Sequence, residues 1–117
     1  MNPPLPAELH LLLDRDGSLI VFQQKDASWA GLLAFTTEER ARAFCATSHL
    51  EVAEIVAISS DDRESIARLI AGVKRRAVRN LLLDLDYATG RCARVEFDGD
   101  SFGPALEHQF APAGHRR

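Results

Sequence analysis

The sequence predicts an α+β domain built on a single mixed sheet of about six strands, in the order β-β-β-α-β-α-β-β, with two helices packed on it. Three observations support this prediction. Apolar residues recur at helical spacing from Ile66 to Ala77. The segment Gly31–Cys45 passes within two residues from an apolar run into a polar helix start. Short apolar runs bounded by turn residues predict strands on both sides of these helices.

Length and composition place limits on the class of protein. The chain has 117 residues, which suits one domain, and its 46% hydrophobic and 26% charged residues are typical of globular proteins. We predict an extended lead-in over 1–8, a domain over 9–110 and a flexible tail over 111–117. A net charge of -3 argues against a dedicated nucleic-acid-binding domain. Without a membrane span or a signal segment, we expect a cytoplasmic protein.

The first strands are predicted from two apolar segments around an Asp-Gly turn. Leu9–Leu13 and Leu19–Gln23 flank the turn at Asp16-Gly17, and such a pattern indicates an antiparallel hairpin. A third strand is expected at Leu32–Phe35. The three strands together predict a meander.

The first helix is predicted from about Thr37 to Ser48. Thr36 stands at the N-cap position and Glu39 follows three residues later, which is the capping-box pattern. Phe44 is the largest side chain on the expected inner face and anchors the helix. The other inner-face residues are Ala41, Cys45 and Ser48.

A fourth strand at Val52–Ile58 leads into the second helix, from about Asp61 to Arg76. Ser59–Asp62 supplies capping side chains and negative charge at its start. We expect both helices to lie on one face of the sheet. If the strands on either side of the first helix are parallel neighbours, the crossover between them should be right-handed.

The last predicted elements form a second hairpin. Leu81–Leu85 is too short and too apolar for a surface helix and is predicted to be a strand. Tyr87–Gly90 is expected to turn the chain into an alternating strand at Cys92–Phe97. Beyond Asp98 the residues are typical of turns, so no further strand is expected.

A strand that ends in Phe35 and Thr36 is followed by a polar helix start with the paired acids Glu38 and Glu39, and then by Ala41 and Phe44. This junction between the third strand and the first helix resembles the N-terminal domain of the bacterial SseB family. The resemblance covers about 9–97. It implies a non-enzymatic module with no established catalytic residues to transfer.

Basic residues crowd the second helix and its exit, and they are the sharpest charge feature of the sequence. Arginine captures phosphate or carboxylate groups with two hydrogen bonds, so these residues are candidates for an anion or partner site. The simpler interpretation is a solvated helix face whose last cations complement the helix dipole, and we favour it. No aromatic residue is interleaved among them, which weakens single-strand nucleic-acid binding. They are Arg63, Arg68, Lys74, Arg75, Arg76 and Arg79.

Acidic pairs flank three predicted turns, and we interpret them mainly as turn residues. Asp84 and Asp86 are the pair of most interest, because strand alternation places them on one side of a strand end, where two carboxylates can bind a cation. The other two pairs are Asp14 with Asp16 and Asp98 with Asp100.

The remaining candidate side chains follow no recognised pattern. Cys45 and Cys92 lack a Cys-x-x-Cys spacing and are expected to be reduced and partly buried. Trp29 is interpreted as a lid over the core or as an exposed anchor for a partner. The four histidines, His10, His49, His108 and His115, have no ligand spacing.

We therefore predict an interaction or regulatory module that binds another protein or itself, with a sheet edge that is open for pairing. The alternative is an anion-binding domain that uses Arg68, Lys74, Arg75, Arg76 and Arg79 on a nucleic acid or a phosphorylated ligand. Nucleic acid is the less favoured partner, and no membrane is expected as one. No catalytic motif and no cofactor motif is present, so an enzyme is not expected.

Overall fold

A computed structural model describes residues 7–23 and 30–109, and it has the predicted α+β class with one mixed sheet. Trp29, most of the expected lead-in and all of the expected tail lie outside these residues. The described elements are β1 (Glu8–Leu13), β2 (Val21–Gln23), β3 (Ala30–Phe35), α1 (Glu38–Ser48), β4 (Glu54–Ser59), α2 (Arg63–Lys74), β5 (Val78–Leu83), β6 (Arg91–Asp98) and β7 (Ser101–Gln109).

The strand order is β4-β1-β3-β5-β6-β7, with β2 paired to β3. Among the described strands, β3 and β5 are the one parallel pair, and the other pairs are antiparallel. β1 separates β3 from β4, so the strands on either side of α1 are not neighbours. The right-handed crossover expected for neighbouring strands therefore has no direct counterpart at α1.

The predicted N-terminal hairpin and meander are wrong. β1 and β2 run in the same direction and pair with successive parts of β3, as shown by the partners His10 with Phe35 and Val21 with Leu32. Between them Leu13 and Leu19 form an isolated bridge, and the Ile20 N–H donates to the Leu12 carbonyl at 2.9 Å. The Asp-Gly turn does exist, since the Gly17 N–H donates to the Asp14 carbonyl at 3.0 Å. The turn lies in the loop that joins β1 to β2, and these two strands lie end to end along β3 instead of pairing with each other as a hairpin.

The two helices lie on opposite faces of the sheet, which corrects the prediction that they share one face. Along β3, Leu32 packs in the same core cluster as Val73 of α2. Its neighbour Leu33 packs with Phe44 of α1 on the other side. Successive strand residues point to opposite faces, so a central strand between two helices must be apolar throughout. β3 is accordingly buried at every position.

The first helix begins one residue later than its capping pattern predicts. Thr37 is the N-cap, and its Oγ1 accepts a hydrogen bond from the Arg40 N–H at 3.1 Å. Thr36 is bound instead to Asp84 at the end of β5. The second helix is capped as expected within 59–62, since the Asp62 carboxylate accepts from the Ser65 N–H at 3.1 Å.

The expectation of turns after Asp98 is wrong, because β7 forms there and pairs with β6. Gly103 and Pro104 give this segment its turn-like composition, but both have a place in an edge strand. A Cβ on Gly103 would lie 2.8 Å from the Glu96 carbonyl oxygen, so the two backbones approach closely there. Proline lacks an N–H and is tolerated in edge strands and at bulges, and the pairing of β6 with β7 shifts register at this point.

Within the described part of the chain, no helix is both long enough and apolar enough to cross a membrane.

Candidate functional site

The outer edge of β4 is the feature of the sheet best suited to binding. β4 is a terminal strand, and among the described residues its one partner is β1. Its residues Ile55, Val56, Ala57, Ile58 and Ser59 carry no charge, and none of them is fully buried. An edge strand with these properties offers backbone groups and apolar side chains to another strand.

The register of β4 against β1 shows which backbone groups face outward. Ser60 donates its N–H to the Ala7 carbonyl at 2.9 Å, so residues with the same parity as Ser60 face β1. The Leu12 carbonyl accepts from the Ile20 N–H on the other side of β1, which agrees with this parity. Ile55, Ala57 and Ser59 therefore direct their backbone groups away from the sheet.

Side chains of β4 alternate between the two faces. Val56 and Ile58 are half-buried against the core cluster on the α2 side. Ile55 is half-buried on the α1 side. Ala57 is exposed at the centre of the strand. α1 packs mainly on β1 and β3, and α2 on β5 and β7, so β4 receives the main contacts of neither helix.

The opposite edge of the sheet, β7, is protected. Its pairing with β6 shifts register between Val95 and Phe97, and Pro104 lies at this irregularity. Proline and local irregularity are devices by which proteins block pairing at a sheet edge. Of the two terminal strands, β4 is thus the one without such protection.

Three of the six predicted basic residues have separate partners within the protein. Arg68 pairs with Glu64 one helical turn earlier, at 3.5 Å. Lys74 donates to the Gly99 carbonyl at 3.2 Å, in the turn between β6 and β7. Arg76 donates to the Leu19 carbonyl at 2.7 Å, on the β3 side of β5.

The head groups of Lys74 and Arg76 are thus directed to opposite sides of β5. Arg75 and Arg79 are exposed at the end of α2 and at the start of β5, and Arg63 lies at the other end of α2. The basic residues are spread along and around the helix. The structure does not bring them together as one site.

Asp84 and Asp86 also have separate local roles. The Asp84 carboxylate accepts from the Thr36 N–H at 2.8 Å and from the Thr36 hydroxyl at 3.0 Å. The Asp86 carboxylate accepts from the Ala88 N–H at 2.9 Å and shapes the turn before β6. Asp14 plays the same part in its own turn, accepting from the Asp16 N–H at 2.9 Å.

A cavity of about 580 Å³ opens beside Asp84 and Asp86, between the ends of β5, β6 and β7. Cys92 lines it, and burial raises the pKa of this thiol to about 11 against the opposing effect of Arg94. His108 also lines the cavity. Partial burial lowers the pKa of its imidazole, and the positive charge of Arg94 lowers it further. Both shifts favour the neutral side chain.

The second thiol, Cys45, is half-buried on α1, and burial raises its pKa as well. Both cysteines are free, as expected. In residues 7–23 and 30–109, no group of three or more His, Cys, Asp and Glu side chains is arranged to hold a metal ion.

Comparisons with protein-family models, with curated proteins and with solved structures find no match to this chain.

Proposed function

We propose that this chain is a non-enzymatic protein-interaction module, and that it binds an extended protein segment along the outer edge of β4. The observation that carries the proposal is the uncharged row from Ile55 to Ser59, whose outward backbone groups have no strand beside them in the described part of the chain. Adding a strand to such an edge is a common mode of peptide recognition.

Two contributions would stabilise the added strand. The outward groups of Ile55, Ala57 and Ser59 would form backbone hydrogen bonds, each contributing about 0.5–1.5 kcal/mol net. The half-buried side chains of Ile55, Val56 and Ile58 would lose their remaining contact with water, at about 25 cal/mol for each Å² of apolar area. Backbone pairing sets the geometry of the complex, and side chains at alternate positions set its selectivity.

Two earlier expectations belong with this proposal. The resemblance to the SseB family implies a module of this non-enzymatic kind. The free thiols Cys45 and Cys92 suit a reducing compartment, so we place the module in the cytoplasm. Anion binding is the weaker alternative, because Arg68, Lys74 and Arg76 already have partners in the protein.

A peptide-display selection tests the proposal. The wild-type chain is the bait, held at low concentration, and Ala57→Lys is the counter-selected bait. An exposed lysine at the centre of an edge strand blocks strand addition without removing a bond to β1. Ala71→Lys is the matched control, because Ala71 is exposed on α2 and the substitution makes the same change in charge.

We expect apolar extended peptides that bind the wild type and Ala71→Lys and lose at least tenfold in affinity for Ala57→Lys. Peptides that bind all three baits equally, or no enriched peptide, would refute an edge-binding module. Acidic peptides that depend on Arg75 and Arg79 would instead support the anion-binding alternative.

A further inference from the structure

We propose that the segment bound at β4 is β4 of a second copy of this chain, paired antiparallel about a two-fold axis through Ala57. This inference rests on the proposed function and names its partner. The result would be one sheet that continues across two protomers. Such an isologous contact closes on itself and limits assembly at this edge to a dimer.

Backbone parity restricts the registers that two β4 strands can adopt. In an antiparallel pair, residues that lie opposite each other either both direct their backbone groups toward the partner strand or both direct them away from it. Ile55, Ala57 and Ser59 direct theirs outward, so any of them within the overlap must lie opposite one of the same three residues in the second copy. Two registers keep five residues of β4 in the overlap, one centred on Ala57 and one centred on Val56.

Side-chain chemistry favours the register centred on Ala57. It places Val56 of each protomer opposite Ile58 of the other, so an apolar pair forms twice on the α2 side. The register centred on Val56 would place the charged Glu54 opposite Ile58 instead. Apolar cross-strand pairs stabilise a sheet, whereas a carboxylate against an apolar side chain loses solvation.

The backbone groups of the overlap are satisfied in the same register. Ala57 would pair with Ala57 of the second copy through two hydrogen bonds, and Ile55 would pair with Ser59 twice, giving about six inter-chain bonds. The Ser59 carbonyl already accepts from the Asp62 N–H at 3.2 Å. A carbonyl has two lone pairs and can accept a second bond.

Charge permits the approach of two identical chains at this edge. Each chain carries a net charge of -3, so like-charge repulsion opposes contact over most surfaces. The overlap from Ile55 to Ser59 contains no charged residue, and Glu54 lies just outside it. Here two copies can meet without placing like charges opposite each other.

The dimer should be weak. Five paired residues bury less than the roughly 1,200–2,000 Å² of a standard stable interface, so we expect a Kd on the order of 10–100 μM. Association should therefore depend on concentration over the range accessible to sedimentation velocity.

A charge-swap experiment tests the second copy and its register together. Ala57→Lys and Ala57→Glu are each studied alone and as an equimolar mixture by sedimentation velocity from about 5 μM to 1 mM, a range that spans the Kd expected for so small an interface. Like charges directly opposite across the axis are destabilising, and opposite charges are stabilising. Wild type and Ala71→Lys are the references, and circular dichroism checks that every variant is folded.

We expect wild type and Ala71→Lys to dimerise, each Ala57 variant alone to lose at least tenfold in affinity, and the mixture to recover the dimer. A dimer that persists in both single variants would place the interface elsewhere and overturn the inference. Loss in both variants without recovery in the mixture would overturn the register. A wild type that stays monomeric up to 1 mM would overturn the second copy as partner, while the display selection would still decide the proposed function.

Discussion

Removing the Asp84 carboxylate should destabilise the fold at the one place where the parallel strands β3 and β5 end together. Its oxygens bind the Thr36 N–H at 2.8 Å and the Thr36 hydroxyl at 3.0 Å, 48 residues away in sequence. The Asp84 N–H donates to the Ala34 carbonyl at 2.8 Å. Asp84 also adopts φ +56, a left-handed conformation that most side chains disfavour.

The size of the effect follows from these contacts. Hydrogen bonds to a charged group contribute about 1.5–3 kcal/mol, and the Thr36 pair is only partly buried, so Asp84→Ala should lose about 2–3 kcal/mol from these bonds. An alanine in the left-handed region adds about 1–2 kcal/mol. Asp84→Gly removes that strain and should cost less. Asp84→Asn keeps an acceptor and tolerates the conformation, so it should cost about 1 kcal/mol.

The assay is urea unfolding of the three variants beside Asp100→Ala, a matched loss of an exposed aspartate in a turn. We expect the free energy of unfolding to fall in the order Asn, Gly, Ala, while Asp100→Ala stays within about 0.5 kcal/mol of the wild type. An Asp84→Ala variant no less stable than Asp100→Ala would refute the argument that this carboxylate joins the two strands.

Three further predictions concern packing and titration. Gly31→Ala should lower the free energy of unfolding by about 1–3 kcal/mol in the same urea assay, because the added Cβ would lie 2.5 Å from Cγ of the fully buried Leu82. A variant as stable as the wild type would show that β3 can move away from β5. Cys92 has a pKa of about 11, so iodoacetamide should alkylate it at pH 8 more slowly than Cys45, as read by peptide mass spectrometry. Faster alkylation of Cys92 than of Cys45 would contradict the burial of Cys92. Folding lowers the pKa of His108, so below about pH 6.5 the unfolded chain binds more protons than the folded chain. The stability present above that pH should therefore decline as the pH falls. His108→Gln should remove part of this decline in thermal unfolding measured from pH 7 to 5, and an unchanged slope would exclude His108 as its source.

The sequence was a good guide to the order of the elements, because that order depends on local periodicity. The spacing of Ile66, Ile70 and Val73 predicted the buried face of α2 correctly. The buried run of β3 was also found as a strand. Its complete burial follows from helices on both faces, and a short apolar run alone does not distinguish one covered face from two.

Long-range pairing was much harder to predict. An Asp-Gly turn between apolar segments normally closes a hairpin, but β3 pairs with both β1 and β2 and so aligns them end to end. Thr36 matched a helix cap by pattern, yet Asp84 binds it from 48 residues away. A rule based on neighbouring residues cannot predict a contact between residues so far apart in the sequence. β7 was missed because Gly103 and Pro104 indicate turns unless the strand is known to lie at an edge.

The candidate site shows the same division. An open sheet edge was predicted, whereas its identity as β4 required the strand order. The basic residues were evident in the sequence, but only the structure shows that Lys74 and Arg76 are directed to different partners.

Amide hydrogen exchange at two protein concentrations tests the pairing of β4 most directly. The N–H groups of Val56 and Ile58 face β1, so they should be protected equally at about 5 μM and 1 mM, below and above the Kd expected for so small an interface. Those of Ile55, Ala57 and Ser59 face outward, and we predict that they gain protection only at the higher concentration. Exchange of these three amides that does not change with concentration would contradict the pairing of β4 with a second copy.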